Sequence, residues 1–180
     1  MIDGIHSTYQ SSSHMKRKRF ITISVTLAYA YVCMLTITPH QPMRHISFII
    51  IHCSAVRPFQ TSSAAQIDQW HKQRGWKGIG YHYVVRRDGS IERGRPEAQT
   101  GAHCQGHNAH SIGVCYEGGL DMQGKPSDTR TTEQRKAMLR LLTDLKQRYP
   151  KAIIVGHNMF STKACPCFLP EEEYKEMNQK

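Results

Sequence analysis

From residue 46 onward the chain alternates short apolar runs with longer amphipathic stretches. Ile46-Ser-Phe-Ile-Ile-Ile51 is a nearly unbroken β-rich run that ends at His52, the pattern of a strand buried on both faces. Ser63-Ala-Ala-Gln66 has capping-box spacing. With Ile67, Trp70 and His71 on one side and Gly75 just past the last turn, it predicts a helix over 63–74. Tyr81–Arg86 and Ser90–Arg93 alternate around Asp88-Gly89, which predicts a hairpin. Residues 97–110 are polar and glycine-containing and predict a surface loop. Ser111–Glu117 predicts a strand closed by Gly118-Gly119, followed by a turn-rich loop over 120–130. Thr131-Thr-Glu-Gln134 opens a long helix striped by Ala137, Met138, Leu141, Leu142, Leu145 and Tyr149. Lys151–His157 is a further apolar strand ending in a histidine, and Pro170-Glu-Glu-Glu173 starts a short last helix. Strands separated by helices imply an α/β domain, a sheet flanked by helices.

The first 42 residues carry none of this periodicity. Met15-Lys-Arg-Lys-Arg19 followed by the uncharged stretch 20–38 has the outline of a secretory signal, with small residues around Ala28-Tyr-Ala30. Two readings stay open: a signal starting at Met15, or translation starting at Met43. The first places the protein outside the cytoplasm or in the periplasm, the second in the cytoplasm until lysis. Stretch 20–38 is barely long enough and only modestly hydrophobic, diluted by Thr, Ser and Tyr, so a stable membrane span is not expected. The expected organisation is an N-terminal extension over 1–42 and one folded domain over 43–180.

Charge adds a partner class but does not choose within it. The chain has 24 Lys and Arg against 14 Asp and Glu, a formal net charge of +10. A basic surface suits nucleic acid, anionic lipid or the anionic polymers of a bacterial envelope. The sequence has no RNA-recognition, zinc-finger or helix-turn-helix signature, so nucleic acid is not the expected partner.

The chemistry concentrates in Val155–Phe168, where a histidine, a lysine and two cysteines follow an apolar strand. Imidazole and thiolate are a common zinc pair, and a further ligand must come from elsewhere in the chain. His52 is the candidate, because two hydrophobic strands side by side can aim both terminal imidazoles at one point. Cys53 follows His52 in its strand and points to the opposite face. Cys165 and Cys167 both remain eligible on spacing. If Cys165 serves the metal, then Cys53, Cys104, Cys115 and Cys167 allow three full pairings, with free buried thiols the simpler expectation.

His52-Cys-Ser-Ala55, Gln69-Trp-His-Lys72, Gly80-Tyr-His-Tyr83, Arg87-Asp-Gly89, Ser111-Ile-Gly-Val114 and Lys163-Ala-Cys-Pro166 occur in this order. Together they resemble the zinc-dependent N-acetylmuramoyl-L-alanine amidases of the T7-lysozyme-like branch, in a superfamily that includes the peptidoglycan recognition proteins. The resemblance covers about residues 43–170. It implies one α/β domain with a central mixed sheet, working as a monomer on peptidoglycan. It also implies one zinc ion held by His52, His157 and Cys165. Two neutral imidazoles and one thiolate would leave an open position, where the pKa of a water falls toward ~7. Tyr81 and Lys163 match the catalytic pair, with Tyr81 expected to handle the proton and Lys163 to stabilise an oxyanion. His103 matches a substrate contact in the 97–110 loop.

Two positions depart from the family. Cys115 stands where the other amidase branch carries a glutamate base, and Glu117, on the same strand face, is out of register for that role. Leu169 stands where relatives carry Asp after the Cys-Pro-x-Phe run, which affects the cap of the last helix rather than the chemistry. The alternative to an enzyme is a non-catalytic peptidoglycan-binding module, as in superfamily members lacking the third ligand.

Overall fold

The computed structural model describes residues 44–179. The candidate signal segment and the proposed boundary at 42 lie outside the described residues. Strands β1 (Phe48–Cys53), β2 (Tyr83–Val85), β3 (Ile91–Arg93), β4 (Ser111–Tyr116) and β5 (Ile153–Gly156) form one sheet in the order β3-β2-β4-β1-β5. β2, β4, β1 and β5 run parallel, and β3 is antiparallel to β2. The sheet is therefore mixed, with its one reversed strand at an edge.

Each element forms for a local reason. Helix α1 (Ala64–Gln73) is capped by the Ser63 hydroxyl, which accepts from the Gln66 N–H. The reciprocal half of the expected box does not form, and the Gln66 amide N–H donates to Gln69. In helix α2 (Thr132–Arg148) the box is complete, with Thr131 and Gln134 each bonding the other's backbone N–H. The hairpin turns through Arg87-Asp-Gly89, and Gly89 takes φ +81°, the left-handed position of a three-residue connection. The last helical segment is broken at Tyr174 into α3 (Pro170–Glu173) and α4 (Lys175–Asn178). Leu169 occupies the N-cap of α3 and supplies no side-chain cap, as expected.

Alternation along β1 separates the two faces of the sheet. Ile49, Ile51 and Cys53 share the main core with Ile112, Val114, Tyr116 and the α2 stripe. Ile50 faces the other way, against Val155 and Cys104, while Val84 and Cys115 pack on Ile67 of α1. His52 belongs to this second face. Edge strand β5 is covered: the Asn178 amide accepts from the Ile154 N–H at 2.8 Å and donates to its carbonyl at 3.0 Å. Among the described residues, no helix is long and apolar enough to cross a membrane.

Candidate metal centre and active site

β1 and β5 pair in parallel with Ile51 opposite Gly156, so the next residues, His52 and His157, emerge together at the same sheet end. His157 itself opens a short 3-10 turn, Met159 being its last residue, rather than extending the strand. The donor atoms of His52, His157 and Cys165 all lie within 4.8 Å of one another. This donor set suits zinc: two imidazole nitrogens and one soft sulfur. Burial keeps both histidines neutral, the state in which they can ligate, and nearby positive groups add to the effect. Burial, then His103, His157 and Lys163, hold His52 well below its usual pKa; burial, then Lys163, lower His157.

The segment carrying Cys165 is anchored at three points. The Cys53 N–H donates to Cys165 Sγ at 3.2 Å, and the Tyr116 hydroxyl donates to the Pro166 carbonyl at 2.7 Å. Phe168 stacks on the buried guanidinium of Arg130, 3.2 Å from the ring centre, which is itself paired with Asp128 and Glu173. Cys53 and Cys167 lie together on the main-core side, outside the donor cluster. Strand alternation turns the Cys53 thiol away from the His52 imidazole, as the sequence suggested.

His103 turns one edge of its ring inward to the donor cluster. Its Nδ1 is 3.0 Å from His52 Nε2, while His52 Nδ1 faces Cys165 Sγ at 3.8 Å. Donor accounting then fixes the proton positions along a chain. His52 with Nδ1 free for a metal carries its proton on Nε2 and donates to His103 Nδ1. His103 Nε2–H points to Ser111 Oγ at 3.4 Å, and the Ser111 hydroxyl donates to the His107 carbonyl at 2.8 Å. Burial first, and His82 second, push His103 down to about 3, so it stays neutral. The ring occupies a slot left by two glycines. A Cβ at Gly113 would lie 2.6 Å from His103 Cδ2, and one at Gly101 would lie 2.5 Å from it. The 97–110 segment is thus packed rather than a plain surface loop: Gly101 and Cys104 are buried, and Asn108 Oδ1 accepts from the His103 and Cys104 N–H groups.

Tyr81 precedes β2 rather than starting it, and its ring lies 5.1 Å from that of His52. Its backbone is pinned on both sides. The Gly80 N–H donates to His71 Nδ1 at 3.0 Å, and the Gly80 carbonyl accepts from Ala102 N–H at 3.0 Å. His71, in the Gln69-Trp-His-Lys72 motif, is therefore a positioning group. His82 in the next motif likewise accepts from Gly113 N–H at 2.9 Å, linking β4 to the loop. Burial, with Cys115 and Cys165 beyond it, raises the Tyr81 hydroxyl well above its ordinary range, so it is a phenol that donates. Cys115 is fully buried beneath it, its thiol raised by burial, and offers no base. Glu117 is committed elsewhere: its carboxylate accepts from Ser62 N–H, Arg86 Nε–H and Arg87 N–H. It braces loops and does not reach the donor cluster.

Lys163 is exposed and lines a cleft of ≈ 490 Å³ together with Trp76, His103, Asn108, His157 and Phe160. Sequence patterning gave no sign of Trp76 as a cleft wall, since its nearest neighbours are loop residues without periodicity. The structure places it there, 41 % exposed with its ring 4.5 Å from that of His71. A smaller recess of ≈ 260 Å³, between α2 and Met177, contains none of the chemical groups.

The family model for N-acetylmuramoyl-L-alanine amidase matches residues 42–168. The chain belongs to this family. It is 42% identical over 122 residues to the endolysin of Enterobacteria phage K11, covering 68% of this chain and 81% of that protein. To the endolysin of Escherichia phage T7 it is 42% identical over 120 residues, covering 67% and 80%. Among solved structures it resembles the N-acetylmuramoyl-L-alanine amidase LysC from Clostridium intestinale, with TM-score 0.65 and 32% identity over 75% of this chain and 87% of that one. Sequence match and mixed-sheet architecture agree on the same amidase fold.

Proposed function

We propose that this amidase is a zinc-dependent hydrolase of the amide joining the lactyl group of N-acetylmuramic acid to L-alanine in peptidoglycan. The observation that carries the reading is the convergence of the His52, His157 and Cys165 donors within 4.8 Å, with His157 lining the cleft that Lys163 also lines. These three residues would hold the ion, which when bound polarises the scissile carbonyl and activates water near neutral pH. Lys163 offers a positive charge to the oxyanion that develops on that carbonyl. Tyr81, kept as a phenol by burial with its ring 5.1 Å from that of His52, handles the proton beside the donor cluster. His103 holds the His52 tautomer from behind while also lining the cleft, where the substrate contact is expected. The basic surface suits an anionic wall polymer.

The test is digestion of purified peptidoglycan with and without chelator, followed by mass identification of the products. A new L-alanine amino terminus, lost on chelation and restored by zinc, is the expected result. New reducing sugar ends would identify a glycosidase and end this reading. Binding to insoluble peptidoglycan without any product would favour the receptor-like alternative.

A further inference from the structure

Four cysteines stand outside the donor cluster among the described residues, and the fold brings two of them into contact. Cys104 packs with Ile50 and Val155, and Cys115 with Ile67 and Val84, in separate clusters on the second face of the sheet. Cys53 and Cys167 share the main-core face, with their sulfurs 3.9 Å apart. Both rest on the backbone of Gly119. A Cβ there would lie 2.4 Å from Cys53 Sγ and 3.7 Å from Cys167 Sγ, while Cys167 Sγ also donates to the Gly119 carbonyl at 3.2 Å. The missing side chain at 119 is what lets the sulfurs meet.

The placement matters because of what lies next along the chain. Cys53 directly follows His52 at the end of β1, and Cys167 is two residues past Cys165. A bond between them would tie together two of the three donor-bearing segments without using a donor. It would also close a loop of more than a hundred residues, the regime in which a cross-link restricts the unfolded chain most. We propose that Cys53 and Cys167 are an oxidative modification site, whose disulfide clasps the ligand segment to β1 independently of the metal.

The oxidant class is a small disulfide such as oxidised glutathione. Cys167, the more accessible thiol, attacks first, forms a mixed disulfide and releases one glutathione thiol. Buried Cys53 then attacks the Cys167 sulfur, the new S–S bond forms, and the second glutathione leaves. Both cysteine protons end on the two released thiols, so two protein sulfurs are oxidised and two glutathione sulfurs reduced. Burial of Cys53 makes this second exchange the slow one. The inference does not depend on amide hydrolysis, because every readout below is taken without substrate.

The test incubates the full chain with oxidised and reduced glutathione, with zinc in one arm and chelator in the other. Remaining thiols are then alkylated and the digest is mapped by mass. The expected bridge is Cys53–Cys167, with Cys104 and Cys115 alkylated in both arms. In excess chelator the oxidised protein should melt on the order of 10 °C higher than the reduced protein, and dithiothreitol should erase the difference. Cys167→Ser should lose bridge and shift together; Cys53→Ala is the second variant, should either one fold poorly. A bridge involving Cys165 or Cys33, glutathione left on Cys167, no oxidation at all, or a bridge without a melting shift would each overturn the proposal.

Discussion

The two sides of the site, the ladder wall and the loop wall, are built by different means. His52 and His157 are set by a parallel ladder, in which Phe48, Ile49, Ile50 and Ile51 pair with successive residues of β5. Their convergence follows from strand register, and many backbone hydrogen bonds would have to fail before it was lost. Tyr81 and His103 are set by a handful of side-chain contacts: His71 to Gly80, Asn108 to two loop N–H groups, and the bare faces of Gly101 and Gly113. A wall held by a ladder tolerates single substitutions away from its ligands. One held by a few polar contacts and a tight slot does not.

The largest expected effect comes from the thiol donor, which its own anchored loop sets rather than the ladder. Cys165→Ser should abolish hydrolysis and let mild chelation strip the metal, because a serine hydroxyl keeps its proton near neutrality. Zinc content and product release check this, while pull-down on insoluble peptidoglycan should persist. Full zinc occupancy with full activity would show that the thiol is not a ligand. Next in size is Lys163→Ala, expected to cut turnover by ~10²–10³-fold with zinc content and melting temperature unchanged. A rise in KM at normal turnover would instead make Lys163 a binding residue only.

The loop wall is sharpened by two smaller changes. His103→Ala removes the acceptor of the His52 N–H and should weaken zinc binding by ~10–100-fold, read from metal-buffered titration rather than from activity. Unchanged zinc affinity with weaker substrate binding would leave His103 as a substrate contact only. Gly113→Ala places a methyl carbon 2.6 Å from the His103 ring and should cost about 1–3 kcal/mol in denaturant unfolding. An unperturbed midpoint would mean that the slot is loose.

The smallest effect is a pH dependence of the metal-free protein. His82 and His103 are held down to about 4 and about 3, chiefly by burial. A base whose folded pKa lies below its unfolded value takes up more protons when unfolded. Stability from these groups is therefore complete above about pH 6.5 and lost as the pH falls toward their folded values. Urea midpoints measured in chelator between pH 7 and 4.5 should decline steadily. A flat profile would mean these imidazoles are solvated in the metal-free state.

Most of the scaffold was legible in the chain itself. Apolar runs marked β1 and β5, capping patterns marked both long helices, and Asp88-Gly89 marked the hairpin, because these signals depend on neighbours within a few residues. The two histidines were legible for the same reason, since each closes an apolar run and lies within one residue of a strand end. Family motifs narrowed the thiol to Cys165, which spacing alone left level with Cys167. What only the tertiary structure decided is everything that depends on long-range register. It determined that β1 lies between β4 and β5, that His103 turns inward to His52, and that Glu117 is occupied by Ser62, Arg86 and Arg87. It also brought Cys53 and Cys167, 114 positions apart, to 3.9 Å. Local propensity acts over a turn or a pleat, whereas these contacts arise when whole faces pack, and no short window of residues contains both partners.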